Sequence, residues 1–347
     1  MLSLRSRHQL KNTNMASKSF DRHHMRLQSA LQNIIPPSTH PLHNIAKHHF
    51  TDTGKMLRGL TALVFCETLE VSEKAALHWA LAIELLHNAS LVHDDLCDGD
   101  ETRRQHMTVW KLFGLQQAIC FGDWLVGQSF EQASMAARAE GNTAELAGLL
   151  ARHMSVLSSG QASEFTLSEY PDWARYVDIV HGKTTPLIMA PVEGAILLSQ
   201  KQVTSKHVYK VLQSLGLAYQ ISDDIRNILG TDGAQHAYGD LKRRAPNAVV
   251  ILFKQNLMNG RLSDFERWLS SGHIHDLDDW RQEIINSLAL DLAVSEIEHR
   301  LNEVDEAMRA MPEDFSSVLK PLTHFLTQSC LQAAEQVSAN NKKSVIL

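Results

Sequence analysis

Apolar residues recur at helical spacing along most of the chain. From Lys74 to about Asp98, Leu77, Leu81, Ile83, Leu85 and Leu86 supply the apolar positions of one long helix, and Ser72 stands where an N-cap belongs. The same periodicity predicts helices over Leu115 to Ala139, Thr143 to about Ser168 and Val203 to Leu229. A final pair is expected over Trp280 to Arg309 and Phe315 to Val337, with Pro312 marking the last break. The intervening loops at Gly99 to Met107, Leu167 to Trp173 and Gly230 to Arg244 are short. There is no internal repeat and no Pro/Ser-rich linker, so the simplest organisation is a single helical domain over residues 21–347 behind a basic lead-in, 1–20.

Composition agrees. The 347 residues include only 9 Pro and 17 Gly, and none of the prolines lies between residues 42 and 170. A sandwich or barrel turns far more often than that allows. A net charge of −6 argues against a nucleic-acid-coating surface. Cys66, Cys97, Cys120 and Cys330 are scattered without a CxxC pair, which suggests neither a disulfide framework nor a zinc site and fits a reducing, cytoplasmic setting. The longest apolar stretch, Pro186 to Leu198, is interrupted by Glu193, so a soluble chain without a transmembrane segment is expected. The first twenty residues carry Arg5, Arg7, Lys11 and Lys18 and no acid; they read as a disordered lead-in, with an organelle import signal as the alternative.

Chemistry concentrates in two acidic clusters. Asp94, Asp95 and Asp98 form D-D-L-C-D near the end of the Lys74 helix, where the macrodipole already disfavours negative charge. Hard divalent cations offset such a cluster, and magnesium commonly shares carboxylates with substrate phosphates. An acidic helix end fading into solvent, with Asp100 and Glu101 continuing it, is the plain alternative. The cluster has company, however. Arg103 and Arg104 follow within one loop, Lys55 and Arg58 precede another apolar helix, and a second cluster, Asp223-Asp224-Ile225-Arg226-Asn227, lies in a helix far downstream. Guanidinium groups suit bidentate phosphate binding. Two acidic clusters interleaved with cations are what two diphosphates and several Mg²⁺ ions require.

The string from Glu84 to Thr108, ELLHNASLVHDDLCDGDETRRQHMT, resembles the first aspartate-rich region of the trans-isoprenyl diphosphate synthases, the family of farnesyl and geranylgeranyl diphosphate synthases. GKMLRG resembles the family's GKxxRP, GQASEF its GQxxD, HGKTTPLI its KT segment, and LGLAYQISDDIRN its second DDxxD, all in the family's order. The resemblance implies an all-α bundle of long antiparallel helices around a deep central cavity, working as a homodimer. It also implies head-to-tail condensation of isopentenyl diphosphate with an allylic diphosphate, using Mg²⁺, three ions when substrate is bound. By similarity, Asp94, Asp95, Asp98 and Asp223 hold metal. Arg103, Lys183 and one cation of the Lys242–Arg244 run, taken as Lys242, neutralise the allylic diphosphate. Lys55, Arg58, His87 and Arg104 form the isopentenyl diphosphate pocket, while Thr184 and Gln220 line the reaction centre. His93, beside the first cluster, is expected to be structural.

Several positions depart from the family pattern. Asn227 replaces the last Asp of the second cluster, Gly59 replaces the proline after Arg58, and Glu164 replaces the Asp of GQxxD. DLKRRAPN, Asp240 to Asn247, lacks the usual glycine and threonine. Ala89 and Ser90, five and four residues before Asp94, are small where short-chain synthases place an aromatic stopper, which favours geranylgeranyl diphosphate as product. Leu86, Ile83, Ala82 and Trp124 are further candidates for the end of the tail pocket. Two other functions fit parts of the sequence. A terpene cyclase on the same scaffold would use a different second motif and would have no need of Lys55, Arg58 and Arg104. A non-catalytic regulatory subunit would be expected to lose its aspartates, and Asp94, Asp95 and Asp98 are all present.

Overall fold

The computed structural model describes residues 21–141, 145–201, 206–231, 238–271 and 276–344. They are almost entirely helical, as expected. Helix α1 covers residues 21–34 and is followed by α2 (His43–His49), α3 (Leu57–Thr68) and α4 (Glu73–Asp98). A two-stranded hairpin, β1 (Thr102–Arg103) and β2 (His106–Met107), then leads into α5 (Val109–Phe113) and α6 (Leu115–Glu140). Next come α7 (Leu146–Phe165), α8 (Trp173–Lys183), α9 (Thr185–Ser199) and α10 (Lys206–Leu229). The chain ends with α11 (Gly239–Arg243), α12 (Ala248–Gln255), α13 (Asn259–Ser271), α14 (Leu277–Ile285), α15 (Ala289–Arg309) and α16 (Glu313–Ser344). Two compact units result. Of the described residues, the first comprises those up to Ala151 with the part of α9 from Ala190; the second comprises Arg152–Met189 and those from α10 onward.

In the first unit α4 is the core helix, packed against α3 and α6. The Ser72 hydroxyl accepts the Ala75 N–H at its start, and Gly99, at φ 69°, closes it in the left-handed conformation that glycine adopts without strain. Small residues on α6 (Ala118, Gly122, Ala133, Ala136) let it approach closely, and Ser129 donates to the Ala82 carbonyl at 2.7 Å. Trp79 lies across Gly194, where a Cβ would overlap its ring, and its Nε1 donates to the Pro191 carbonyl. By length and hydropathy α4 could span a membrane; 72% of its most apolar window is buried inside the protein, as in the core helix of a soluble protein.

The second unit is built on α10, whose Ile221, Ile225 and Ile228 recur at i, i+4 and i+7 and are fully buried. α12, α15 and α16 pack around it. Phe253, Phe265, Trp268 and Trp280 form an aromatic cluster beside it, with the Phe265 and Trp280 ring centres 4.8 Å apart. The expected single helix from Trp280 to Arg309 is broken between α14 and α15. Ser287 donates its hydroxyl to the Ile284 carbonyl and accepts the Ala289 N–H, so its side chain competes with the helical ladder.

Candidate active site

The first unit presents its carboxylates on the last turn of α4. Asp95 is only 4% exposed, and Arg103 of β1 meets its Oδ1 through Nε at 2.6 Å and Nη2 at 2.5 Å. Burial pushes the Asp95 carboxyl upward, with the Arg103 guanidinium opposing and Asp100 and Asp98 adding to the rise. Asp94 and Asp98, one turn apart, are half-buried. The three acids therefore share a turn but not one environment. Among the described residues no three His, Cys, Asp or Glu side chains form a closed metal cluster. The expected Gly99–Met107 loop contains the hairpin that carries Arg103; Arg104 and Gln105 form its tip at positive φ. Trp110 Nε1 and the Thr108 hydroxyl both donate to the Asp100 carbonyl and fix its base.

A cationic pocket forms alongside. Gly54, at φ 63°, lies directly under the Arg104 guanidinium, where a Cβ would stand 2.5 Å from Cζ. Arg104 Nη1 also donates to the Asp52 carbonyl, while the Asp52 carboxylate accepts the Gly54 N–H. Lys55 is exposed on the same turn. Arg58 Nη1 donates to His87 Nε2 at 3.1 Å, which places the His87 proton on Nδ1. That Nδ1 is buried without a hydrogen-bond partner. Burial, then the charges of Arg58, Arg104 and Arg103, hold His87 well below the ordinary histidine range, so it is neutral.

His49 backs this pocket, edge-on to Phe50 and Phe121 and hydrogen-bonded through Nε2 to Asn88 Oδ1 at 2.8 Å. Burial above all lowers its pKa to about 4. Between that value and the ordinary 6.5 the unfolded chain binds a proton that the folded chain does not, so stability falls as pH drops through this window, by roughly 3 kcal/mol. Melting temperatures at pH 7.5 and pH 5 should therefore lie closer together in His49→Gln than in the unaltered protein. An equal acid-induced loss in both would exclude His49 as its source.

Around the position that the sequence assigns to product length, Ala89 is buried and Ser90 half-buried, the latter donating to the His87 carbonyl. Leu86, Ile83 and Ala82 are buried, and Trp124 stacks on Phe121. His93 fills a notch at Gly122 and reaches Asp123 at 3.6 Å.

In the second unit α7 and α8 cross at two glycines. A Cβ on Gly160 would stand 2.6 Å from the Gly182 carbonyl carbon. This contact brings Glu164 of GQASEF to Lys183 of HGKTT as an ion pair. Thr184 donates to Gln220 Oε1 at 3.4 Å, and Gln220 Nε2 donates to Asp224 Oδ1 at 3.0 Å. Adjacent aspartates on α10 then diverge. Asp223 is 42% exposed and paired at 2.5 Å with Arg226, which α16 anchors through the Ser329 carbonyl. Asp224 is buried, and its Oδ2 accepts both the Tyr176 hydroxyl and the Ala248 N–H at 2.7 Å. Burial and the neighbouring Asp240 charge push its carboxyl up to about 8. Asp224 joins helices; Asp223 is the outward acid.

The two departures at Asn227 and DLKRRAPN prove to be one structure. Asn227 Oδ1 accepts the Asp240 N–H, and Asp240 in turn takes Arg243 and the Asn247 amide. Arg244 lies 4.9 Å from the Trp268 ring centre, and Tyr170 bridges the Ala245 carbonyl and the Asn247 N–H. Arg243 and Arg244 are thus engaged within the segment, whereas Lys242 is exposed. The sequence reading missed Asp224, Tyr176 and Tyr170 as organising residues. The first was legible in principle, since neighbours on a helix point about 100° apart.

The helical architecture is that of the isoprenoid synthases. The chain matches the polyprenyl synthase of Caulobacter crescentus CB15, solved with calcium and isoprenyl diphosphate, with a TM-score of 0.74 over 92% of this chain and 95% of that one, at 24% identity. Residues 39–273 match the family model described as Polyprenyl synthetase, and the chain belongs to that family of prenyltransferases. The geranylgeranyl pyrophosphate synthase of Geoglobus acetivorans is 34% identical over 214 residues, 60% of this chain and 67% of that protein. The all-trans-nonaprenyl-diphosphate synthase (geranyl-diphosphate specific) of Rhodobacter capsulatus is 26% identical over 275 residues, 78% of this chain and 83% of that protein. These relatives differ in product length.

Proposed function

We propose that this chain joins isopentenyl diphosphate head to tail with an allylic diphosphate and releases geranylgeranyl diphosphate. The observation that carries the reading is the convergence of Arg58, Arg104 and the neutral His87 around the Gly54–Lys55 turn. It is a cationic pocket that an enzyme ionising a single substrate does not need. There Lys55, Arg58 and Arg104 bind the diphosphate of the isopentenyl substrate, and the unpartnered Nδ1–H of His87 donates to it.

The family resemblance assigns Arg103 of the first unit, and Lys183 and Lys242 of the second, to the allylic diphosphate, and within the second unit Glu164 orients Lys183. Lys242 takes this role among its neighbours because Arg243 and Arg244 are engaged by Asp240 and Trp268. Thr184 and Gln220, hydrogen-bonded to each other and backed by Asp224, offer oriented dipoles to the carbocation that develops as the allylic C–O bond breaks. The isopentenyl double bond attacks that carbon, and the proton then lost passes to the departed diphosphate. No side-chain base is required.

The donor set fits magnesium. Asp94 and Asp98 in the first unit, and Asp223 in the second, are partly exposed carboxylates, and magnesium is commonly held by one or two carboxylates plus substrate phosphates rather than by a closed protein cage. Asp95 would join by exchanging Arg103 for the ion. When bound, magnesium supplies Lewis-acid neutralisation of the leaving diphosphate. A homodimer belongs to the same reading. Leu112, Leu115 and Ile119, which are 40–50% exposed on α5 and α6, give a second copy an apolar strip to cover.

The test is product analysis. Purified protein with Mg²⁺, isopentenyl diphosphate and each allylic diphosphate should release linear geranylgeraniol after phosphatase treatment. Hydrocarbon formed from allylic substrate alone, or activity only after a partner chain is added, would overturn the reading. Product length has its own check. Ala89→Phe should shift the product towards farnesyl diphosphate, because a buried aromatic blocks growth sterically where a methylene alone discriminates by only about 1–3 kcal/mol. An unchanged product distribution would remove Ala89 from the tail pocket.

A further inference from the structure

Helix α3, which follows Lys55 and carries Arg58, begins without a cap of its own. Met56 at its N-terminus is left-handed, with φ 47°, and its side chain accepts no hydrogen bond; the first turn holds no acid. The leading N–H groups of a helix need acceptors. One comes from another helix: Glu84 of α4, 1% exposed, accepts the Gly59 N–H on Oε1 at 2.7 Å, and the Arg58 N–H is directed at the same carboxylate. A charge so buried is costly unless it is paired. Burial accordingly pushes the Glu84 carboxyl upward, opposed by the Gly59 N–H at the positive end of α3 and by the Arg58 and Arg104 guanidinium groups.

The fit is close. A Cβ on Gly59 would stand 2.6 Å from Leu27 Cδ2, 2.7 Å from Glu84 Cγ and 3.0 Å from the Ala80 carbonyl. Glycine both admits α3 to this distance and supplies the donor, which a proline at this position would lack. The turn of α4 that presents Glu84 is fastened in turn: Asn88 Nδ2 donates to the Glu84 carbonyl at 2.7 Å, and His49 holds Asn88. Three residues beyond Glu84 stands His87, the acceptor for Arg58.

We infer that Glu84 is a positioning residue for the isopentenyl diphosphate pocket: by capping α3 from α4 through Gly59, it sets Lys55 and Arg58 in register with His87. This deepens the function proposed above, since it rests on those cations binding that substrate.

Three variants test it, with Michaelis constants for both substrates and calorimetric binding of isopentenyl diphosphate as readouts. Glu84→Gln keeps an acceptor at the same reach and should leave the isopentenyl KM within about threefold. Glu84→Asp keeps the charge but withdraws it by one methylene, and should raise that KM by about tenfold or more while the allylic KM stays within about twofold, because small misplacements of binding groups are expensive. Glu84→Ala should follow Asp, and the Asp and Gln variants decide the matter if Ala fails to fold. Gln worse than Asp would show that charge rather than reach matters, and would overturn the inference. So would unchanged isopentenyl binding in Asp, or an equal rise in both Michaelis constants. Lys55→Ala and Arg58→Ala separate the two levels: if neither weakens isopentenyl diphosphate, the pocket assignment itself fails, whatever Glu84 does.

Discussion

Asp94→Ala is expected to lower kcat by at least about a thousandfold, equivalent to roughly 4 kcal/mol of lost transition-state stabilisation. The size follows from where charge develops. In the proposed reaction the allylic C–O bond breaks with a full diphosphate charge leaving, and bound metal would share that burden with the side chains. Arg103 pairs directly with Asp95, and Asp94 is a further, partly exposed carboxylate on the same turn. Stability should respond differently. Asp94 lies in the last turn of α4, at the negative end of the helix dipole, so alanine there relieves an unfavourable charge worth less than about 1 kcal/mol. The decisive result is the combination: an undiminished melting temperature with turnover collapsed, and weakened Mg²⁺ binding by titration calorimetry in the presence of a non-hydrolysable allylic diphosphate analogue. Turnover within about tenfold of the unaltered protein would remove Asp94 from the metal site.

Legibility in the sequence followed the range of the interaction. Local signals read well. The Ser72 cap and the i, i+4 apolar rows of α4 and α10 each depend on neighbours within one turn. Motif order located both acidic clusters and the cations around them. What escaped were contacts between elements remote in sequence. Spacing alone puts Asp94, Asp95 and Asp98 in one turn, but the hairpin that delivers Arg103 decides that Asp95 faces inward. Likewise the resemblance assigns Asp223 to metal and leaves Asp224 without a role, which Tyr176 and the N-terminus of α12 supply. Glu84 offered a faint signal, a lone acid inside the apolar run AIELL, which only a buried partner can justify. The partner, a backbone N–H on α3, leaves no mark in the sequence beyond the absence of proline at Gly59. The unforeseen break at Ser287 is the reverse case, a local side-chain hydrogen bond overriding a periodicity that continues across it.

Glycine in a helix supplies the second large prediction, because the same substitution should have opposite signs at two places. Gly127, exposed on α6, has nothing within 4 Å of the position a Cβ would take, so Gly127→Ala removes backbone freedom from the unfolded chain and should stabilise by up to about 1 kcal/mol. Gly160 on α7 meets backbone instead: its Cβ would stand 2.6 Å from the Gly182 carbonyl carbon, 2.9 Å from the Gly182 Cα and 2.9 Å from the Lys183 nitrogen. Main chain cannot rotate aside as a flexible side chain can, so α7 and α8 must separate. Overpacking of this kind costs about 1–3 kcal/mol, and the separation pulls Glu164 away from Lys183, whose ammonium the proposed chemistry needs in place. Gly160→Ala should therefore lose both stability and turnover, with the turnover defect persisting at temperatures where the variant is fully folded by circular dichroism. Restored turnover at low temperature would mean that the crossing serves stability alone, and that Lys183 finds its position without it.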